Sequence, residues 1–137
     1  MTPHKPWQAT AEARALLRAA ERDSKTVEVL LRHPDAPISS VCFHAQQYLE
    51  KAIKAVLVSN AVIFRRTHNL GKLADLLAQK NIESPLPKDQ LKRLNPFAVT
   101  TRYEDTELAL IDIQTIEKMM ETTHAWIVEQ IYELHDD

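Results

Sequence analysis

Glycine occurs once in the 137-residue chain, as Gly71, and cysteine once, as Cys42. A single glycine excludes the Gly-rich loops of P-loop and dinucleotide-binding folds, which need several residues without a Cβ to bring backbone amides onto phosphate. One cysteine excludes an internal disulfide, and the place of Cys42 in an apolar-patterned segment fits a small buried thiol in a reducing compartment. Long apolar runs are also lacking. None approaches the roughly 18 residues of a membrane span, and Met1 to Gln8 has no apolar stretch of the secretory kind. The expectation is a cytoplasmic protein with no membrane segment. A formal charge of −2 excludes a surface that binds polyanions all over, so any phosphate contact must be a local patch such as Lys51 to Arg66.

Sustained period-two alternation and hairpin dipeptides are missing as well, which leaves helices. Ala13, Leu17, Ala20, Val27 and Leu31 keep helical spacing within Ala9 to His33, and Pro34 and Pro37 end that segment. Ser39 or Ser40 is the expected cap of a second helix reaching about Ser59, before the β-branched and aromatic run Ala61 to Phe64. Thr67 is the expected cap of a third, in which Leu70, Leu73, Ala74 and Leu77 recur until the pattern fades near Asn81. Ser84, Pro85 and Pro87 break the chain, a short helix fits Lys88 to Leu94, and Asn95 and Pro96 stop it. Asn95 to Thr106 is aperiodic. Asp105 or Thr106 then caps a long last helix whose seam is Ala109, Ile113, Ile116, Met120, Thr123, Ile127 and Leu134. The economical fold is all-α, an antiparallel up-and-down four-helix bundle with one additional short helix. It forms a single domain over residues 1–137, with 1–8 as a flexible N-terminus.

The second helix carries two faces. Val41, Ala45, Tyr48, Leu49, Ala52, Ile53, Val56 and Leu57 fall on a broad apolar arc, while His44, Gln47, Lys51 and Lys54 form a polar stripe. Two cations, an amide and an imidazole suit a phosphate, a base edge or a partner's carboxylates, and a solvated face with a Glu50–Lys54 pair is the simpler alternative. Arg65, Arg66 and His68 sit in the connector that feeds the third helix, whose first amides would add a positive end for an anion. Arg102 and Tyr103 pose a similar choice in the approach to the last helix. Glu121 and His124 have the Glu-x-x-His spacing of bundle metal sites, but no second copy occurs, and no metal is expected. Cys42 and His44, two apart on a helix, point about 200° apart and cannot pair as nucleophile and base.

Phe43-His44-Ala45-Gln46-Gln47, Glu50-Lys51-Ala52 and Lys54-Ala55, then Arg66-Thr67-His68-Asn69-Leu70 and later Arg102-Tyr103, follow one another in an order and spacing that resemble the HEPN domain family (higher eukaryotes and prokaryotes nucleotide-binding). The resemblance covers about Ala9 to Leu134. It implies an all-α up-and-down bundle and a homodimer formed through bundle helices. It also implies one of two roles: a metal-independent endoribonuclease, often a toxin, with an Arg-x4–6-His motif, or an accessory protein encoded with a minimal nucleotidyltransferase. This sequence departs from the ribonuclease motif. Arg65 and Arg66 lie too close to His68, Arg102 is followed at the required distance by Glu107, Leu108 and Ala109, and Arg32 directly precedes His33. Lys118-x5-His124 keeps the spacing with a lysine, which lacks arginine's planar fork. The resemblance therefore implies a noncatalytic nucleotide- or RNA-binding module, in a toxin–antitoxin-like setting with a nucleotidyltransferase partner and no cofactor. An RNA-cleaving toxin is the alternative. The expected ligand surface is His44, Gln47, Lys51, Lys54, Arg65, Arg66, His68, Arg102 and Tyr103.

Overall fold

The computed structural model describes residues 6–102 and 111–132, with side chains over 11–98 and 111–131. Its elements are α1 (Pro6–Leu31), α2 (Ile38–Ser59), α3 (Leu70–Gln79), α4 (Lys88–Leu94), a 3-10 segment (Asn95–Arg102), α5 (Ile113–Ile127) and a terminal π turn (Val128–Tyr132). The fold class is all-α, as expected.

Helix α1 is described from Pro6 onward, so residues 6–8, expected within a flexible N-terminus, are helical. The turn 32–37 reverses the chain, held by Arg32 N–H donating to Val29 O and His33 N–H to Leu30 O. Helix α2 starts without a side-chain cap. The extended residue Pro37 occupies the cap position, and its carbonyl accepts from Ser40 and Val41, which places Ser39 and Ser40 inside the first turn.

The whole apolar arc of α2 is buried, and Ala45, Leu49, Ala52, Ile53, Val56 and Leu57 have no exposed surface. This helix is the axis of the core: α1 packs against it most extensively, α5 packs along it, and α3, α4 and the 3-10 segment also touch it. Because α3 and α4 are short, a compact block, and not another full-length helix, covers that part of α2.

Helices α2 and α3 end in the same way. Ala61 and Asn81 adopt φ of 60° and 59°, Val62 N–H donates back to Leu57 O and Ile82 N–H to Leu77 O, and both turns are Schellman motifs. Asparagine tolerates this left-handed conformation, whereas alanine does so at a cost of about 1 kcal/mol. The cap of α3 is Asn69, whose Oδ1 accepts from Lys72 N–H at 3.1 Å; Thr67 Oγ1 instead accepts from Asn69 N–H and orders the preceding turn. Asn95 does not end α4 with a break. The chain tightens into the 3-10 segment, Phe97 is buried, and Asn95 Oδ1 accepts from Leu70 N–H at 2.8 Å across the fold. The last helix also starts later than expected. Buried Ile111 precedes Asp112, whose carboxylate accepts from Thr115 N–H at 2.8 Å and caps α5; Asp105, Thr106, Ala109 and Leu134 lie outside the described residues.

Candidate functional site

Positions seven apart on α2 share one line along the helix, so His44 and Lys51 form one row and Gln47 and Lys54 the next. The first row meets Asp23 of α1. His44 Nδ1–H donates to Asp23 Oδ1 at 3.0 Å, and Lys51 Nζ donates to Oδ2 of the same carboxylate. Asp23 is buried at 8% exposure.

The second row belongs to a network around Glu50, which is 4% exposed. Lys54 Nζ donates to its Oε2 at 2.8 Å and Gln46 Nε2 to its Oε1 at 3.0 Å. Gln47 Nε2 donates in turn to Gln46 Oε1 at 2.6 Å. His68 reaches both carboxylate oxygens with Nδ1 at 3.0 Å, and its carbonyl accepts from Gln46 Nε2 at 3.2 Å. One residue of the connector is thereby held at two points by one helix. Burial alone would raise the pKa of Glu50, but hydrogen bonds from Lys54, Gln46 and His68, with the charge of Lys54, hold it below the usual carboxylate value.

An ionised carboxylate only accepts, so His68 donates its Nδ1 proton, and in the neutral ring Nε2 carries the lone pair. The His68 side chain is 60% exposed, against 6% for Glu50. Arg65 and Arg66 are exposed beside it in sequence and have no carboxylate partner among the described residues. A carboxylate-fixed imidazole can move a proton, and the exposed guanidinium groups two and three residues before it in the chain are of the type that holds phosphate.

The structure thus divides the sequence-predicted residues. His44, Gln47, Lys51 and Lys54 are half-buried and face internal partners, while Arg65, Arg66 and His68 present their chemistry outward. Arg102 closes the 3-10 segment; its side chain and all of Tyr103 lie outside the described residues. The start of α3 does not serve an anion in the way its position suggests, because Leu70 and Lys72 amides already donate to Asn95 and Asn69. Cys42 is buried, donates weakly to Ile111 O at 3.8 Å, and has its thiol pKa pushed up by burial, which makes it a poor nucleophile. Among the described residues, no three His, Cys, Asp or Glu side chains gather as a metal site.

Asp23 and the organising role of Glu50 were not foreseen from the sequence. Asp23 had a signal: it falls between Ala20 and Val27 on the seam of α1, where an acid calls for a buried cation. Gln46, Glu50 and Lys54 recur at four-residue steps, but the convergence of His68 on them is purely tertiary.

A long helical hairpin, a polar seam on its second helix and a basic connector behind it define an all-α domain with an outward-facing cationic edge. The chain belongs to the HEPN domain family, which it matches over residues 13–132. It is also 37% identical over 84 residues to a protein of Methanocaldococcus jannaschii that bears the name "Putative toxin MJ1304". That match covers 61% of this chain and 53% of the relative, so the chain aligns with about half the relative's length. No solved structure matches it.

Proposed function

We propose that this protein is a toxin-like HEPN module that binds RNA or nucleotide phosphate through Arg65, Arg66 and His68. The observation that carries the reading is the contrast in charge pairing. The lysines of α2 are matched by Asp23 and Glu50, whereas the connector arginines are exposed without a carboxylate partner among the described residues. Gln47 and Lys54 contribute through the Glu50 network that holds His68, and Arg102 and Tyr103 are further candidate ligand contacts by their sequence alone. The module acts in the cytoplasm as a homodimer, in a toxin–antitoxin setting with a minimal nucleotidyltransferase; support for the setting is the family membership and the relative's name. Among the described residues no helix is long and apolar enough to cross a membrane.

Binding of a labelled single-stranded RNA, followed by fluorescence anisotropy at several salt concentrations, tests the reading. Removing one arginine–phosphate pair reduces the salt slope by about 0.7, so Arg65→Ala with Arg66→Ala should lower affinity and flatten the slope by about 1.4. An unchanged slope and affinity would overturn it.

The Glu50–His68 pair favours a second reading, metal-independent RNA cleavage. His68 Nε2 takes the proton of a 2′-hydroxyl, that oxygen bonds to the adjacent phosphorus, and the 5′-oxygen leaves with a proton from water, giving a 2′,3′-cyclic phosphate and a 5′-hydroxyl. Purified protein incubated with total RNA in EDTA should then cleave it, and His68→Ala should not. RNA left intact by the unaltered protein at high concentration excludes this second reading and leaves the binding reading in place.

A further inference from the structure

Between α1 and α5 runs a groove made of two adjoining hollows, of about 500 and 200 Å³, which share Ser24, Glu28, Tyr48 and His124. Tyr48 of α2 lies at its base, and Leu17, Val27, Leu31, Met120 and Ile127 give it apolar walls. The groove extends along α1 from Leu17 to Leu31, roughly 20 Å at the helical rise per residue. Its rim is acidic. Glu21 and Glu28 line it from α1, Glu117 and Glu121 from α5; all four are exposed, and none has a salt-bridge partner among the described residues. Lys25 is the one lysine or arginine lining either hollow.

We propose that this groove docks a lysine- or arginine-rich amphipathic helix from a partner protein. Three features fit that occupant. The length matches three to four helical turns, so apolar residues at i, i+3 or i+4 and i+7 can enter along the walls. A helix laid there contacts α1 and α5 together, the arrangement of a helix completing a bundle. The four carboxylates would meet its flanking cations, and this pairing removes the repulsion between Glu117 and Glu121, one turn apart on α5. Of the chain's own segments outside the described residues, 103–110 and 133–137 contain acidic residues and no lysine or arginine, and 1–5 holds one lysine, Lys5, beside Pro3, so none supplies a lysine- or arginine-rich helix. The groove is independent of the proposed RNA face, since none of its residues belongs to the connector.

The probe is a labelled synthetic helix of about 16 residues, with leucines on one face and lysines and arginines flanking them, measured against the full chain by anisotropy. A scrambled peptide of equal composition is the control for charge alone. Saturable binding about tenfold tighter than the scramble is expected, weakened by salt and reduced about tenfold in the variant Glu28→Gln, Glu117→Gln, Glu121→Gln. Equal binding of the two peptides, or an unaffected variant, would overturn the proposal. So would sedimentation showing that the same variant dissociates a homodimer, because the groove would then be covered by a second copy. The loss of RNA salt slope caused by Arg65→Ala with Arg66→Ala should be the same in this variant background as in the unaltered protein, which separates failure here from failure of the connector reading on which the RNA face rests.

Discussion

Asp23 and Glu21 stand two residues apart on α1, yet Asp23 is buried against His44 and Lys51, whereas Glu21 is exposed on the groove rim without a salt-bridge partner among the described residues. Two residues along a helix is a rotation of about 200°, so each acid faces a different neighbour. Helix α2 offers Asp23 cations; α5 offers the groove further carboxylates. The seam closes its charges internally and contributes to cohesion, and the groove leaves its charges to be matched from outside. What a carboxylate does here is set less by its own helix than by the helix opposite.

Glu50 gives the most severe way to break that contrast. Glu50→Ala leaves Lys54, His68 and Gln46 without their common acceptor and should lower the unfolding free energy by about 3 kcal/mol in urea denaturation. If the loss were only a few tenths, the seam would be no more cohesive than a surface pair. Asp23→Ala should cost less, about 2 kcal/mol, because Lys51 and His44 retain more access to water than Lys54 does. Acid sharpens the same point. The depressed pKa of Glu50 in the folded state means its contribution is full above the ordinary value of 4.5 and is lost as pH falls through the folded pKa. Denaturation midpoints should therefore fall below about pH 4.5 in the unaltered protein, and Glu50→Gln should lack that component of the fall.

Ala61→Gly tests the root of the connector without touching either charged region. A glycine accepts the φ of 60° that alanine adopts under strain, and a stabilisation of about 1 kcal/mol in thermal unfolding is expected, with RNA affinity unchanged. The smallest effect belongs to the groove. Glu117→Gln removes one side of a like-charge pair with Glu121 and should raise stability by about 0.3 kcal/mol. A destabilisation there would mean that the groove carboxylates are internally matched and resemble the seam after all.

Much of the fold was legible because α2 writes its burial into its spacing: every residue of the expected arc from Val41 to Leu57 is buried. The helix starts were less legible. Pro37 caps α2 through its backbone, and Asn95 completes the start of α3 from a distant part of the chain, neither of which leaves a local side-chain signal. Ser39, Ser40 and Thr67 are good capping residues by type, but the carbonyl of Pro37 and the carboxamide of Asn69 already occupy those roles. For the site, the stripe was readable as polar but its orientation was not. Its meaning depended on Asp23 and on the return of His68 to Glu50, both contacts between residues far apart in sequence.

His68 is fastened by Gln46 and Glu50, both of α2, although its own position lies beyond the α1–α2 hairpin. The two long helices are joined by the short turn 32–37, and contacts across such a turn close small loops and form early in folding. The Asp23 seam can therefore assemble while the connector is still unattached, and the imidazole gains its fixed tautomer only when the chain after Ser59 docks. A chain ending at Ser59 would hold both halves of the Asp23 seam but none of Arg65, Arg66 and His68, so the seam is encoded within the hairpin and the fixed imidazole only by the chain beyond it.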